Sequence, residues 1–228
     1  SAEEIRQDDN ARWRMLSEEV TRAGAVRSAE EGLDLLLDSE RVFEDLEYAL
    51  RGPKLDRGAV GSDAVYEYDM RLAIRAWDPR LTPQSEFRAI AWAGKLTCLG
   101  QYFHPLYFEE LQQPELQKAI EADCQDMFHK EAVQRTVQLL GGHCIIDFAW
   151  LGPGKVIVVE LNPFDGVCLG TFPASTGLFL WENEADRAVM QGVSPFEMRV
   201  RGHRLPAPVL KTQCNPAWRR IIYDETRP

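Results

Sequence analysis

From Asp147 to Phe164 the sequence reads Asp147-Phe-Ala-Trp150, then Gly152-Pro153-Gly154, then Lys155-Val-Ile-Val-Val-Glu160-Leu-Asn162-Pro163-Phe164. Two apolar, β-rich runs around a Gly-Pro-Gly turn predict a hairpin over 143–162. A hairpin brings the start of its first strand beside the end of its second. Asp147 therefore comes close to Glu160 and Asn162, which are two residues apart and share one face. Three oxygen-bearing side chains at one sheet end make a seat for a hard divalent cation such as Mg²⁺. The same carboxylates could instead serve the strand ends or pair with a nearby Arg.

The rest of the chain reads as an α+β arrangement. Residues 11–23 predict a helix stopped by Gly24. Ser28-Ala-Glu-Glu31 has the spacing of a capping box, and the helix it opens carries Leu33, Leu36 and Leu37. A short helix through Val42, Leu46 and Leu50 follows, and the Gly-rich stretch 51–66 reads as a linker. Asp69 to Trp77 alternates as a strand. Phe87–Trp92 and Leu96–Tyr102 form a second hairpin around Gly94, with Phe87, Ala89 and Ala91 opposite in facing to Arg88, Ile90 and Trp92. Pro114 to Leu140 predicts one long packing helix ended by Gly141-Gly142. Glu182–Met190 reads as a short helix, Phe196–Val200 as a last strand, and the Pro-rich, basic tail from Arg201 as a surface segment. The expected division is a helical N-terminal segment and linker at 1–66 and a sheet domain at 67–228.

Charge and composition narrow the function classes. The net charge of −10 argues against a general nucleic-acid binder. No apolar run reaches the roughly 18 residues that cross a bilayer, and the polar, acidic first residues fit neither a signal nor a transit peptide. Cys98, Cys124, Cys144, Cys168 and Cys214 contain no C-x-x-C pair, so buried reduced thiols and a cytoplasmic location are expected. The four His show no metal-ligand spacing, and His104 reads as a structural hydrogen-bonding partner among aromatics.

Several segments, in order, resemble the cell division cycle protein 123 family. They are Leu72-Ala-Ile-Arg75-Ala-Trp77, Glu86-Phe-Arg88, Gly100-Gln-Tyr-Phe-His104 with Tyr107-Phe108, the Asp147 to Phe164 segment, and Gly177-Leu-Phe-Leu-Trp181. With Leu35 to Leu46 they span roughly residues 26–200. The resemblance implies an ATP-grasp fold that binds ATP with Mg²⁺ and helps assemble eukaryotic translation initiation factor 2, through its γ subunit. By that resemblance Asp147, Glu160 and Asn162 hold the metal, Arg75 and Arg88 face the phosphates, and Trp77 lies at the hinge beside adenine. Arg suits phosphate because its planar fork donates two parallel hydrogen bonds. Salt bridges to Glu86 or Asp78 are the other reading for the two Arg. Glu160 stands where the family usually has Asp, and no Lys precedes Lys54. Two further readings stay open: an ATP-grasp ligase or phosphotransferase, and a domain that keeps the fold without its nucleotide.

Overall fold

The structure, a computed structural model of the chain, describes residues 8–47, 72–164, 176–213 and 216–223. Its contacts divide into two units, Ser1–Thr21 with Pro79–Pro228, and Arg22–Asp78.

The larger unit is built on a sheet of order β4-β3-β1-β2-β5. The strands are β1 (Glu86–Trp92), β2 (Lys95–Gln101), β3 (Cys144–Trp150), β4 (Val156–Pro163) and β5 (Glu197–Arg199). All neighbours run antiparallel except β2 and β5, so the expected mostly antiparallel sheet is present. Both predicted hairpins form. Ala93 and Gly94 turn the first with positive φ, and the second turns at Gly152-Pro153-Gly154.

One face of the sheet carries Phe87, Ala89, Leu99, Ile146 and Phe148, all buried. Against it pack α4 (Pro114–Phe128), through Ile120, Cys124 and Phe128, and α5 (Glu131–Leu139), through Val133 and Val137. The single helix expected over 114–140 is thus two. Its apolar positions step from Phe128 to Val133, five residues, which breaks the three-and-four spacing of one stripe. The chain resets there, with His129 as C-cap and Lys130 extended at ψ 138°. Asp123 on α4 accepts hydrogen bonds from Trp150 Nε1 (2.7 Å) and Gly154 N (2.8 Å), which ties the second hairpin to the helix.

The opposite face is half apolar and half charged. Ile90, Cys98, Ile145, Phe164, Phe179, Val189 and Met190 form its apolar half, capped by α6 (Glu184–Met190). Asn183 caps that helix from its own side chain. The tail from Arg201, expected as a surface segment, carries two helices. It forms α7 (Ala207–Gln213) and α8 (Pro216–Tyr223), and Leu210 is fully buried. The N-terminal α1 (Asp9–Ala23) is joined to this tail by a Trp13 Nε1 hydrogen bond to Tyr223 Oη (2.9 Å). The Asn10 amide donates to the carbonyl of Tyr107 and accepts from its N–H.

The smaller unit contains α2 (Ala29–Leu37) and α3 (residues 40–47). Ser28 caps α2 by accepting from Glu31 N (3.1 Å), while the Glu31 carboxylate reaches Arg27 N (2.7 Å) rather than Ser28 N. Residues 72–78 belong to no strand, which corrects the strand expected over Asp69–Trp77. Alternation describes a segment by itself and does not show whether another strand is placed to pair with it. Residues 69–71, Leu50 and the linker at 51–66 lie outside the described residues.

Candidate functional site

The charged half of the second sheet face owes its make-up to strand register. Arg88 pairs with Asp147 across β1 and β3, and Asp147 pairs with Glu160 across β3 and β4. Directly opposed residues point to the same face, so three charged side chains form a row across three strands. Glu86 and Asn162 lie two residues away along β1 and β4, on the same face.

A register shift between Asp147 and Phe148 makes this row possible. Val158 and Leu161, three apart, both pack on the core face. Strict alternation would send Glu160 to the face of Val158. The bulge supplies the extra residue that turns Glu160 and Asn162 outward.

Asp147 is 1% exposed, and Arg88 grips it bidentately: Nε donates to Oδ1 at 2.8 Å and Nη2 to Oδ2 at 2.7 Å. The Arg88 guanidinium also lies 4.7 Å over the Tyr102 ring. Burial lowers the Arg88 pKa, but the Asp147 hydrogen bond and charge outweigh it, so the net shift is upward. The ion pair of Arg88 is with Asp147 rather than with Glu86. Glu160 is exposed and Asn162 half-buried. Neither side chain has a hydrogen bond or ion pair among the described residues.

Glu86 is the most perturbed carboxyl of the face. Burial, with the Asp147 charge adding, pushes it up to about 7, and Arg88 only partly opposes them. Near neutral pH that carboxyl is therefore about half protonated beside a buried ion pair. Burial likewise pushes the Tyr102 hydroxyl upward.

Beside Arg88 a cleft of about 240 Å³ opens, lined by Trp13, Ser17, Tyr102, His104 and Trp218 among others. Gln101, fully buried, shapes its rim by donating to the Phe103 and Leu106 carbonyls and accepting from Arg201 N. The His104 backbone N–H donates to Tyr102 O, its carbonyl accepts from Arg201 Nε, and burial lowers the imidazole pKa.

The row continues past Arg88 to Gly100 and Arg199. A Cβ on Gly100 would lie 3.5 Å from the Phe179 ring, so Phe179 rests on the strand beside Arg88. Arg199 stacks 4.2 Å over that ring and binds Glu197 and Asp186. Hydrogen bonding to Glu197, then to Asp186, raises its pKa.

Arg88, Asp147, Glu160 and Asn162 are therefore brought together on one face. Arg75 and Trp77 are exposed and lie in the smaller unit. Glu86 and Tyr102 are the residues that sequence reasoning left out of the site. Alternation from Arg88 points to Glu86, whereas Tyr102 and Arg199 arrive through pairings distant in sequence. Among the described residues no group of three or more His, Cys, Asp or Glu side chains is arranged to hold a metal.

No protein-family model and no curated protein matches this sequence. Among solved structures the chain is similar to Cdc123 from Schizosaccharomyces pombe, at 21% identity and a TM-score of 0.53, over 81% of this chain and 66% of that one. The C-terminally truncated Cdc123 of the same organism matches at 18% identity and a TM-score of 0.48, over 82% and 68%. At such identity the likeness is one of fold. The chain has a Cdc123-like α+β fold, in line with the resemblance noted in its motifs, and spans 66% of the length of the first protein.

Proposed function

We propose that the chain is an ATP-grasp-like protein that binds ATP with Mg²⁺ on the sheet face of Arg88, Asp147, Glu160 and Asn162, and acts as an assembly chaperone for translation initiation factor 2. The observation that carries this reading is the register row Glu160–Asp147–Arg88, turned to one face by the bulge in β4. The Cdc123-like fold adds to it.

The donor set fits the metal. Two carboxylates and an amide oxygen are hard ligands of the kind Mg²⁺ takes, with water and phosphate oxygens filling the remaining positions. Asp147 gives both oxygens to Arg88, but a carboxylate has about four lone-pair sites and keeps two. Glu160 is exposed, and Asn162 brings a neutral oxygen that adds no repulsion. Bound Mg²⁺ would neutralise charge on the β- and γ-phosphates. Arg88 contributes a cation held rigid by Asp147 and Tyr102, ready to face a phosphate without reorganising.

Thermal unfolding tests the nucleotide half of the proposal. A ligand that binds only the native state adds RT ln(1 + [L]/Kd), about 2.7 kcal/mol at a hundred times Kd. ATP with Mg²⁺ is expected to raise Tm, and ATP alone to raise it less, because the uncompensated carboxylates repel the phosphates. A Tm indifferent to millimolar ATP in both cases favours a fold that has lost its nucleotide. The partner half is tested by affinity capture from a eukaryotic lysate. The γ subunit of initiation factor 2 is expected to enrich over an unrelated acidic bait, and equal recovery removes the partner.

One observation favours a ligase or phosphotransferase instead: a carboxyl near pKa 7, Glu86, stands beside the row and is suited to moving a proton at neutral pH. Release of ADP or AMP on incubation with ATP separates that reading from the chaperone.

A further inference from the structure

The smaller unit carries a surface that the nucleotide reading does not use. α2 buries none of its residues. Leu33 is 57% exposed, Leu37 80% and, on α3, Phe43 65%. A nine-residue helix is marginal alone in water; Leu33 and Leu37, four residues apart, share one face of α2, and exposed apolar side chains grouped on a face mark a surface that something covers.

The charges around these residues say what. Residues 22–47 hold eight Asp and Glu against three Arg. Between α2 and the segment before it runs a groove of about 370 Å³, with Val26 and Leu35 as its apolar walls and Asp34 and Asp38 at its rim. Neither of those two carboxylates has a hydrogen bond or ion pair among the described residues. An apolar wall ending in a carboxylate pair matches a Lys or Arg side chain, whose methylenes lie on apolar surface while its head stays with the charge. A second copy of the chain would bring one acidic rim against another, which opposes self-association.

We propose that α2, α3 and this groove dock a basic amphipathic helix of a partner protein. Its apolar side chains lie on the exposed Leu and Phe side chains, and its Lys or Arg side chains enter the groove toward Asp34 and Asp38. This surface is independent of the sheet site.

A fluorescein-labelled synthetic helix of alternating Leu and Lys clusters, followed by anisotropy against the full chain, tests it. The basic peptide is expected to bind, its Glu-for-Lys counterpart to bind at least tenfold more weakly, and raised salt to weaken the complex. The pair Asp34→Asn and Asp38→Asn is expected to cost tenfold or more in affinity. Asp126→Asn with Glu109→Gln removes the same charge from exposed sites on the larger unit, and is expected to leave affinity within twofold. Both pairs sit on the surface and leave folding intact, which circular dichroism checks. The proposal is overturned if no basic peptide binds, if the two charge pairs weaken binding equally, or if the chain forms a concentration-dependent dimer that excludes the peptide.

Discussion

Arg88 does two jobs with one guanidinium: it neutralises Asp147 inside the sheet and lends a cation to its outer face. Removing one partner of a buried pair strands the other charge, at a cost of about 3–5 kcal/mol. Arg88→Ala is expected to lower stability to urea by roughly that amount. Arg88→Lys keeps the charge but loses the second parallel hydrogen bond, and should fall between the two. Equal stability of Lys and Arg at this position would show that the bidentate geometry contributes nothing. Glu86 gives a pH test with a definite sign. Its pKa is about 7 in the folded chain against an ordinary 4.5, so between those values the native state holds more protons than the unfolded one. Its contribution to stability is complete below about pH 4.5 and is lost as pH rises through 7, on the order of 3 kcal/mol. Urea unfolding from pH 4 to pH 8 should show that decline, and Glu86→Gln should flatten it. A Gln variant with the wild-type pH slope would assign the slope to other groups.

At the scale of elements, turns and register decide where the site lies. Gly142 has φ +82°, and a Cβ there would come within 3.2 Å of Gly94 N, whereas Gly141 has φ +72° and open space around it. Ala at either position strains the backbone by about 1 kcal/mol, and only at 142 does it also push into the first hairpin turn. Gly142→Ala is therefore expected to unfold at lower urea than Gly141→Ala, and equal midpoints would remove the packing part of the argument. Both hairpins were legible from local chemistry, since alternation and Gly-containing turns act within a few residues. The facing of Phe87, Ala89 and Ala91 against Arg88 and Ile90 was legible for the same reason. Three features were not. The break at His129-Lys130 sits in an apolar pattern that looks continuous when counted loosely. The bulge between Val158 and Glu160 leaves no mark in composition, although it is what turns Glu160 beside Asp147. The run from Asp69 to Trp77 reads as an alternating strand, yet a strand also needs a pairing partner, which alternation within one segment does not reveal.

At the scale of the whole molecule, the two ends of the larger unit hold one wall of the site. Trp13 is 2% exposed, and Tyr223 Oη accepts from its indole and donates to Asp9. Tyr223→Phe leaves that buried N–H without its partner, and is expected to cost about 1–3 kcal/mol. An unchanged denaturation midpoint would show that the terminal clasp carries no stability. Trp13 and Trp218 line the cleft beside Arg88, so loosening the clasp reaches the site as well as the fold. The sheet face assembled from Arg88 on β1, Asp147 on β3 and Glu160 and Asn162 on β4 is the proposed seat of a nucleotide bound through a metal. Isothermal titration of ATP into the full chain, with and without Mg²⁺ and alongside Glu160→Ala, tests it most directly. Binding is expected to depend on Mg²⁺ and to weaken tenfold or more in Glu160→Ala, at least about 1.4 kcal/mol, with the variant still folded. Binding of equal strength without Mg²⁺ or in Glu160→Ala, or no heat at millimolar ATP from a folded chain, would contradict it.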